Sequence, residues 1–214
     1  MDKYYSIPND LAEYAEKHTT APSKLLYDLE RETYLKMINP RMLAGHYQGQ
    51  LLKMLSQMIQ PQRILEVGTF TGYSAICLAE GLQEGGLLHT IEVNEELKTR
   101  ATNYFEKAGK GQQIQMHIGD ACEIIPSLDE VFDLVFLDAD KQSYIRYYKL
   151  VFDKVRSGGL IITDNVLWNG KVLEKEQDKE TAAISAYNKM IQEDERVENV
   201  LLPVRDGILI ARKK

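Results

Sequence analysis

From Pro61 onward the chain alternates short apolar runs with helical patterns, and this alternation constrains the fold more than any other feature. The apolar runs are ILEV (64–67), LLHTIEV (87–93), IQMHI (114–118), FDLVFLD (132–138) and GGLIITD (158–164). Between them lie SAICLAEGL (74–82), EELKTRATNYFEKAG (95–109), a short segment over Cys122–Leu128, and YIRYYKLVFDKV (144–155). Strands alternating with helices predict βαβ units and a mostly parallel sheet covered on both faces. The tail differs. KETAAISAYNKMIQED (179–194) is helical, and VENVLLPV and GILIARK are β-rich runs flanking Arg205-Asp206-Gly207. Asp-Gly between strands is a hairpin signal, so the sheet is expected to end in an antiparallel edge.

The first sixty residues read as helices. Ser6-Ile7-Pro8-Asn9-Asp10 is a start signal with Asn9 or Asp10 as cap, and LAEYAEKH follows. LLYDLERETYLKM ends at Asn39-Pro40, and QGQLLKMLSQMI ends at Gln60-Pro61. With 214 residues, the expectation is one domain, residues 1–60 being helices and 61–214 an α/β core. The balance of 26 Lys+Arg against 32 Asp+Glu gives −6, which argues against a strongly basic nucleic-acid scaffold. No apolar run approaches the ~20 residues of a bilayer span. No secretory leader is expected, and two cysteines, Cys77 and Cys122, suit a reduced cytoplasmic compartment.

In a parallel sheet, ligands bind beyond the carboxyl ends of the strands, at the point where strand order reverses. The first such turn is Glu66-Val67-Gly68-Thr69-Phe70-Thr71-Gly72-Tyr73-Ser74. Its glycines allow a tight turn, but the pattern E-x-G-x-x-x-G lacks the G-x-G-x-x-G that admits a pyrophosphate. That speaks against a nicotinamide-dependent oxidoreductase. Glu92 ends the second strand, where an acid accepts both hydroxyls of a ribose. With Glu66 in the first turn, the pair suits a positively charged, phosphate-free nucleoside such as S-adenosylmethionine. Asp120, after the third strand, is placed to accept from an adenine amino group, to cap the next helix, or both.

Asp138 ends the fourth strand and Asp164-Asn165 the fifth. Neighbouring strands lie about 4.8 Å apart, so these side chains can converge on one rim. Two carboxylates and an amide oxygen form a hard donor set for Mg²⁺, Ca²⁺ or Mn²⁺. His18, His46, His89 and His117 have no metal-ligand spacing. His89 and His117 are expected to be packed or surface histidines, and Cys77 a small buried hydrophobe. Trp168 is equally an acceptor wall or simple packing. The polar stretch Trp168–Asp178 reads as a mobile loop or as a solvated helix start.

These segments carry a resemblance. RMLAGHYQGQLL, LEVGTFTGYSA, HTIEVNEE, FDLVFLDADKQSY and GGLIITDNVLWNGKV, spread from Arg41 to Val172, are similar to the cation-dependent O-methyltransferases of the caffeoyl-coenzyme-A and catechol type. The resemblance implies an α/β fold: a doubly wound, mostly parallel seven-stranded sheet of the Rossmann-like class I methyltransferases. It also implies an antiparallel last strand, extra amino-terminal helices and a homodimer. It assigns Met42, Ala44, Glu66, Gly68, Ser74, Glu92, Ala121 and Asp138 to S-adenosylmethionine, and Asp138, Asp164 and Asn165 to the divalent cation. Asp140 and Asn169 match substrate-contacting positions, and Lys141 matches the general base. Beside a cation, Lys141 is expected to have a depressed pKa. The implied reaction methylates a hydroxyl of a vicinal-diol aromatic small molecule. Hydroxylated uridine in transfer RNA is the alternative acceptor, for which Arg146, Lys171 and Lys175 would form a local basic patch.

Overall fold

The computed structural model describes residues 8–214, the Asn9 side chain excepted. The elements are α1 (Asn9–Lys17), α2 (Lys24–Lys36), α3 (Gly45–Ile59), β1 (Arg63–Val67), α4 (Tyr73–Ala79), β2 (Leu87–Glu92), α5 (Lys98–Lys107) and β3 (Ile114–Ile118). There follow α6 (Ala121–Ser127), β4 (Phe132–Leu137), α7 (Tyr144–Phe152), β5 (Val155–Thr163), α8 (Lys179–Glu193), β6 (Val197–Leu202) and β7 (Ile208–Lys213). Among the described residues no helix is long and apolar enough to cross a membrane.

All seven strands form one sheet in the order β3-β2-β1-β4-β5-β7-β6. The first five are parallel, and β7 runs antiparallel to both β5 and β6. The antiparallel strand is therefore inserted beside β5, and β6 forms the edge. The sheet thus ends in the expected antiparallel hairpin. The order reverses between β1 and β4.

The central strands are apolar on both faces because both faces are covered. Leu65, Val67, Val135 and Leu137 belong to one core with Tyr144, Tyr148, Val151 and Tyr187, beneath α7 and α8. Ile64, Leu134, Phe136 and Ile162 point the other way, against Leu29, Leu52, Ala75, Leu78 and Phe105 of α2 to α5. Full burial of one such aliphatic side chain stabilises by about 1.5–3 kcal/mol. Two packed layers therefore hold the strand ends in register.

Local chemistry sets the boundaries. Ser23 Oγ accepts from Leu26 N and caps α2, and Asp178 caps α8. The expected cap of α1 is corrected. Pro8 occupies that position without a side-chain bond, and Asp10 Oδ1 instead accepts from Leu11 N at 2.9 Å within the first turn. Ser6 and Ile7 lie outside the described residues. The third helix starts at Gly45, three residues earlier than its apolar spacing implies. β5 also begins early, at Val155, because Val155 pairs with Phe132 before the register shifts.

Trp168–Leu173 forms a 3-10 turn in which Asn169 and Gly170 have left-handed backbone. The stretch Trp168–Asp178 is tied down locally. Lys171 Nζ pairs with Asp178 at 3.1 Å, and Gln177 Nε2 donates to the Val172 carbonyl at 3.0 Å. His89 and His117 pack together, their ring nitrogens 3.0 Å apart, and Cys77 is buried. Both agree with expectation.

Candidate functional site at the carboxyl edge of the sheet

Ladder hydrogen bonds continue one residue past several strands and align the residues that follow. Gly68 N donates to Ile91 O at 2.9 Å, Gly119 N to Glu92 O at 2.9 Å, Asp138 N to Val67 O at 2.8 Å, and Asp164 N to Leu137 O at 3.0 Å. Gly68, Gly119, Asp138 and Asp164 thus stand along one edge, across the point where strand order reverses. Gly68 has φ +107, and a Cβ there would overlap the carbonyl oxygen of Asp138. Only glycine lets the first turn lie this close to the end of β4.

Strain gathers at this edge. The described non-glycine residues with positive φ are Gln60, Phe70, Asn165, Trp168, Asn169 and Arg205. All but Gln60, the C-cap of α3, lie in loops leaving the carboxyl edge of the sheet. Sparsely populated backbone conformations persist where surrounding structure over-determines them, often at ligand sites.

On the β1 side, Glu66 is fully buried, and its Oε2 accepts from Thr90 Oγ1 at 2.5 Å. Its Oε1 has no hydrogen-bond partner among the described residues. A buried acceptor left open fits a ligand that brings a donor. Burial pushes the Glu66 carboxyl up to about 8, while the hydroxyls of Ser74 and Thr90 pull the other way. Glu92 accepts from Phe70 N at 2.8 Å and Asn94 N at 2.9 Å, which ties the end of β2 to the first turn. Four lone-pair directions on the carboxylate leave capacity for further donors. Ser74 and Ala121 are buried in the first turns of α4 and α6, and Asp120 caps α6 by accepting from Cys122 N at 2.7 Å. Ala44 is buried at the start of α3, whereas Met42 is exposed on the turn before it.

On the β4–β5 side, Lys141 Nζ donates to Asp138 Oδ1 at 2.9 Å and to the Tyr144 hydroxyl at 2.8 Å. That hydroxyl donates in turn to the Asp164 carbonyl at 2.8 Å. Asp164 Oδ2 accepts from Gln48 Nε2 at 2.7 Å, and Oδ1 from Asn165 N at 2.7 Å. Burial and the charge of Asp138 raise the Asp164 pKa. Burial also raises that of Asp206, which accepts from Asn169 N and, at 3.5 Å, from Asn165 Nδ2.

The depressed Lys141 pKa is expected beside a bound cation, and the site without one shifts the other way. Burial lowers it, but Asp138, Tyr144 and Asp164 more than reverse the effect and hold the amine above its ordinary value. The edge is built to hold positive charge. Its hard oxygen donors, Asp138, Asp164 and Asn165, suit a divalent cation, which would also relieve the repulsion between the two carboxylates. Among the described residues no three His, Cys, Asp or Glu side chains cluster as metal ligands, so the set depends on the Asn165 amide.

Of the other sequence candidates, Asp140 faces Ser143 Oγ at 2.6 Å, and Asn169 meets the edge through its backbone bond to Asp206. Sequence reasoning missed Gln48, Tyr144, Arg205 and Asp206. A cavity of about 280 Å³ lies elsewhere, among His46, Lys53, Tyr73, Cys77, Glu80 and Lys107, and no candidate residue lines it.

The O-methyltransferase family model matches residues 16–214. Caffeoyl-CoA O-methyltransferase from Petroselinum crispum is 35% identical over 179 residues, covering 78% of this chain and 74% of the relative. Caffeoyl-CoA O-methyltransferase 1 from Arabidopsis thaliana is 36% identical over 182 residues, covering 78% and 69%. The O-methyltransferase from Bacillus cereus, solved in complex with SAH, superposes with a TM-score of 0.88 at 28% identity, covering 96% of this chain and 97% of that one. The SAH-bound Podospora anserina methyltransferase gives a TM-score of 0.88 at 26% identity, covering 96% and 94%. Matched across its described fold and through the segments that form the edge, the chain belongs to the O-methyltransferase family.

Proposed function

We propose that the chain transfers the methyl group of S-adenosylmethionine to one hydroxyl of a vicinal-diol aromatic small molecule, and that the reaction needs a divalent cation at Asp138, Asp164 and Asn165. The observation that carries this reading is the juxtaposition of Asp138 and Asp164 at adjoining strand ends, beside the first turn. The SAH bound in the Bacillus cereus relative supports the choice of cofactor, and the plant relatives support an acceptor of caffeoyl type. The family likeness also supports a homodimer.

When bound, the cofactor would supply an electrophilic methyl group, and the cation would supply Lewis acidity and neutralise Asp138 and Asp164. The chain's own residues do the rest. Glu92 accepts from the ribose hydroxyls, while Glu66 and the backbone of the Gly68 turn face the charged end of the ligand. With Asp138 and Asp164 balanced by a cation, Lys141 Nζ would lose its ammonium proton to solvent, and the free amine would then take the proton of the acceptor hydroxyl. Asp140 and Asn169 contact the acceptor. Holding both reactants in line contributes up to about 7–11 kcal/mol toward the barrier.

The test is a screen of catechols, flavonoids, caffeoyl esters and undermodified transfer RNA with labelled S-adenosylmethionine, with and without Mg²⁺. Label in a catechol or caffeoyl ester only with Mg²⁺ supports the reading. Label in transfer RNA alone, or cation-independent turnover, contradicts it.

A further inference from the structure

The geometry points to the turn Arg205-Asp206 as a positioning device for two of the three candidate cation ligands, Asp164 and Asn165, with Gln48 as its intermediary. The inference rests on the cation reading above and goes beyond it by assigning work to residues that touch neither cation nor acceptor. At first sight Arg205-Asp206-Gly207 is only a hairpin turn between β6 and β7. Its two charged side chains nevertheless reach back to the edge where β5 ends.

Arg205 Nη1 donates to Gln48 Oε1 at 3.1 Å, to the Leu43 carbonyl at 3.1 Å and to the Ala44 carbonyl. A guanidinium has donors only. The Gln48 oxygen must therefore face Arg205, and its NH₂ must face the other way. There Nε2 meets Asp164 Oδ2 at 2.7 Å. Gln48 is 1% exposed, so no water competes for either end of its amide. The sense of the amide is thus set by chemistry, and with it the donor that holds one oxygen of Asp164. The other oxygen is held by Asn165 N at 2.7 Å.

Asp206 treats Asn165 in the complementary way. A carboxylate accepts, so it draws the Asn165 nitrogen, with Nδ2 at 3.5 Å from Oδ2. The Asn165 oxygen is then the end left to face the edge. A donor-only residue and an acceptor, adjacent in one turn, fix the two amides in opposite senses. Gln48 presents its NH₂ to Asp164, and Asn165 keeps its oxygen for a hard cation. The left-handed backbone of Arg205, φ 49, places the two side chains for this. Partners of this kind are typically worth about 10- to 100-fold in metal affinity.

The test uses Mn²⁺ alone, titrated into the intact chain and followed by the electron paramagnetic resonance of the free ion, beside thermal melting. Gln48→Leu and Arg205→Ala are each expected to weaken Mn²⁺ about 10- to 100-fold. Arg205→Lys, still donor-only, is expected to recover most of the loss. The double variant should bind Mn²⁺ like Gln48→Leu alone, because Arg205 acts on the ligands through Gln48. Its melting temperature should fall further than that of Gln48→Leu, since the Leu43 and Ala44 carbonyls lose their donor. Should Arg205→Ala not melt cooperatively, Gln48→Leu and Asp206→Ala carry the test with the same expected loss. Wild-type affinity in these variants, with affinity lost in Asp164→Asn, overturns the positioning role and leaves the cation reading standing. An Arg205 effect undiminished in the Gln48→Leu background also overturns the relay. Failure of the wild type to bind Mn²⁺ overturns the cation reading and this inference together.

Discussion

Lys141 and Asp138 face each other at 2.9 Å, three residues apart in the turn between β4 and α7, their side chains 11% and 17% exposed. The pairing favours the protonated amine, so the proposed base role requires the charge of Asp138 to be balanced from elsewhere. Lys141→Met keeps a four-atom apolar stem and removes the amine. It is expected to slow the methyl-transfer step about 10²- to 10⁴-fold while leaving the affinity for S-adenosylhomocysteine unchanged. Single-turnover rates and calorimetry measure the two separately. Normal turnover would remove Lys141 from the mechanism.

Tyr144 joins Lys141 to the Asp164 carbonyl through one buried hydroxyl. Tyr144→Phe leaves that carbonyl without this donor and the Lys141 amine without this acceptor. The expected cost is about 1–3 kcal/mol of stability, measured by urea denaturation, with a fall in kcat larger than any change in KM. A variant as stable and as active as the wild type would contradict this account of the turn.

Gly68 is the closest approach of the first turn to β4. Gly68→Ala must shift the backbone at φ +107 and push against the Asp138 carbonyl. The expected loss exceeds that of Gly109→Ala, where φ is +68 and nothing lies within 4 Å of the added methyl group. The control should cost about 1–2 kcal/mol. Equal losses in urea melts would show that Gly68 is not constrained by Asp138.

His89 and His117 contribute a pH dependence far from the reaction. Burial holds both imidazoles below the ordinary histidine value, and His117 depresses His89 further while Glu130 opposes. Above pH 6.5 both states are neutral at these positions, and their contribution to stability is full. As pH falls below 6.5 the unfolded chain takes up protons first, so stability declines through the lowered folded values. The urea midpoint should therefore drop between pH 6.5 and 5, and less steeply in His117→Gln. Parallel slopes would refute the assignment.

Much of the architecture was legible because short continuous apolar runs and turn residues are local signals. The runs ILEV, LLHTIEV, IQMHI and FDLVFLD became β1 to β4 within a residue or so at either end. The residues that end these strands stand where a parallel sheet puts them. What local pattern could not carry was contact across long separations. Gln48 reads as one polar position in a helical repeat, yet it meets Asp164, 116 residues away, and Arg205, 157 residues away. Arg205-Asp206 was visible only as a turn, since turn chemistry says nothing about where side chains land. The charge around Lys141 was equally out of reach of local pattern: without a cation, Asp138, Tyr144 and Asp164 outweigh burial and raise its pKa.

The most direct test of the central claim is the rate of label transfer from S-adenosylmethionine to a catechol or caffeoyl ester in wild type and Asp164→Asn, with chelator and after Mg²⁺ is restored. The account predicts that chelator stops wild-type turnover, that Mg²⁺ restores it, and that Asp164→Asn stays inactive at any Mg²⁺ concentration tested. Undiminished turnover in chelator, or in Asp164→Asn, would contradict it.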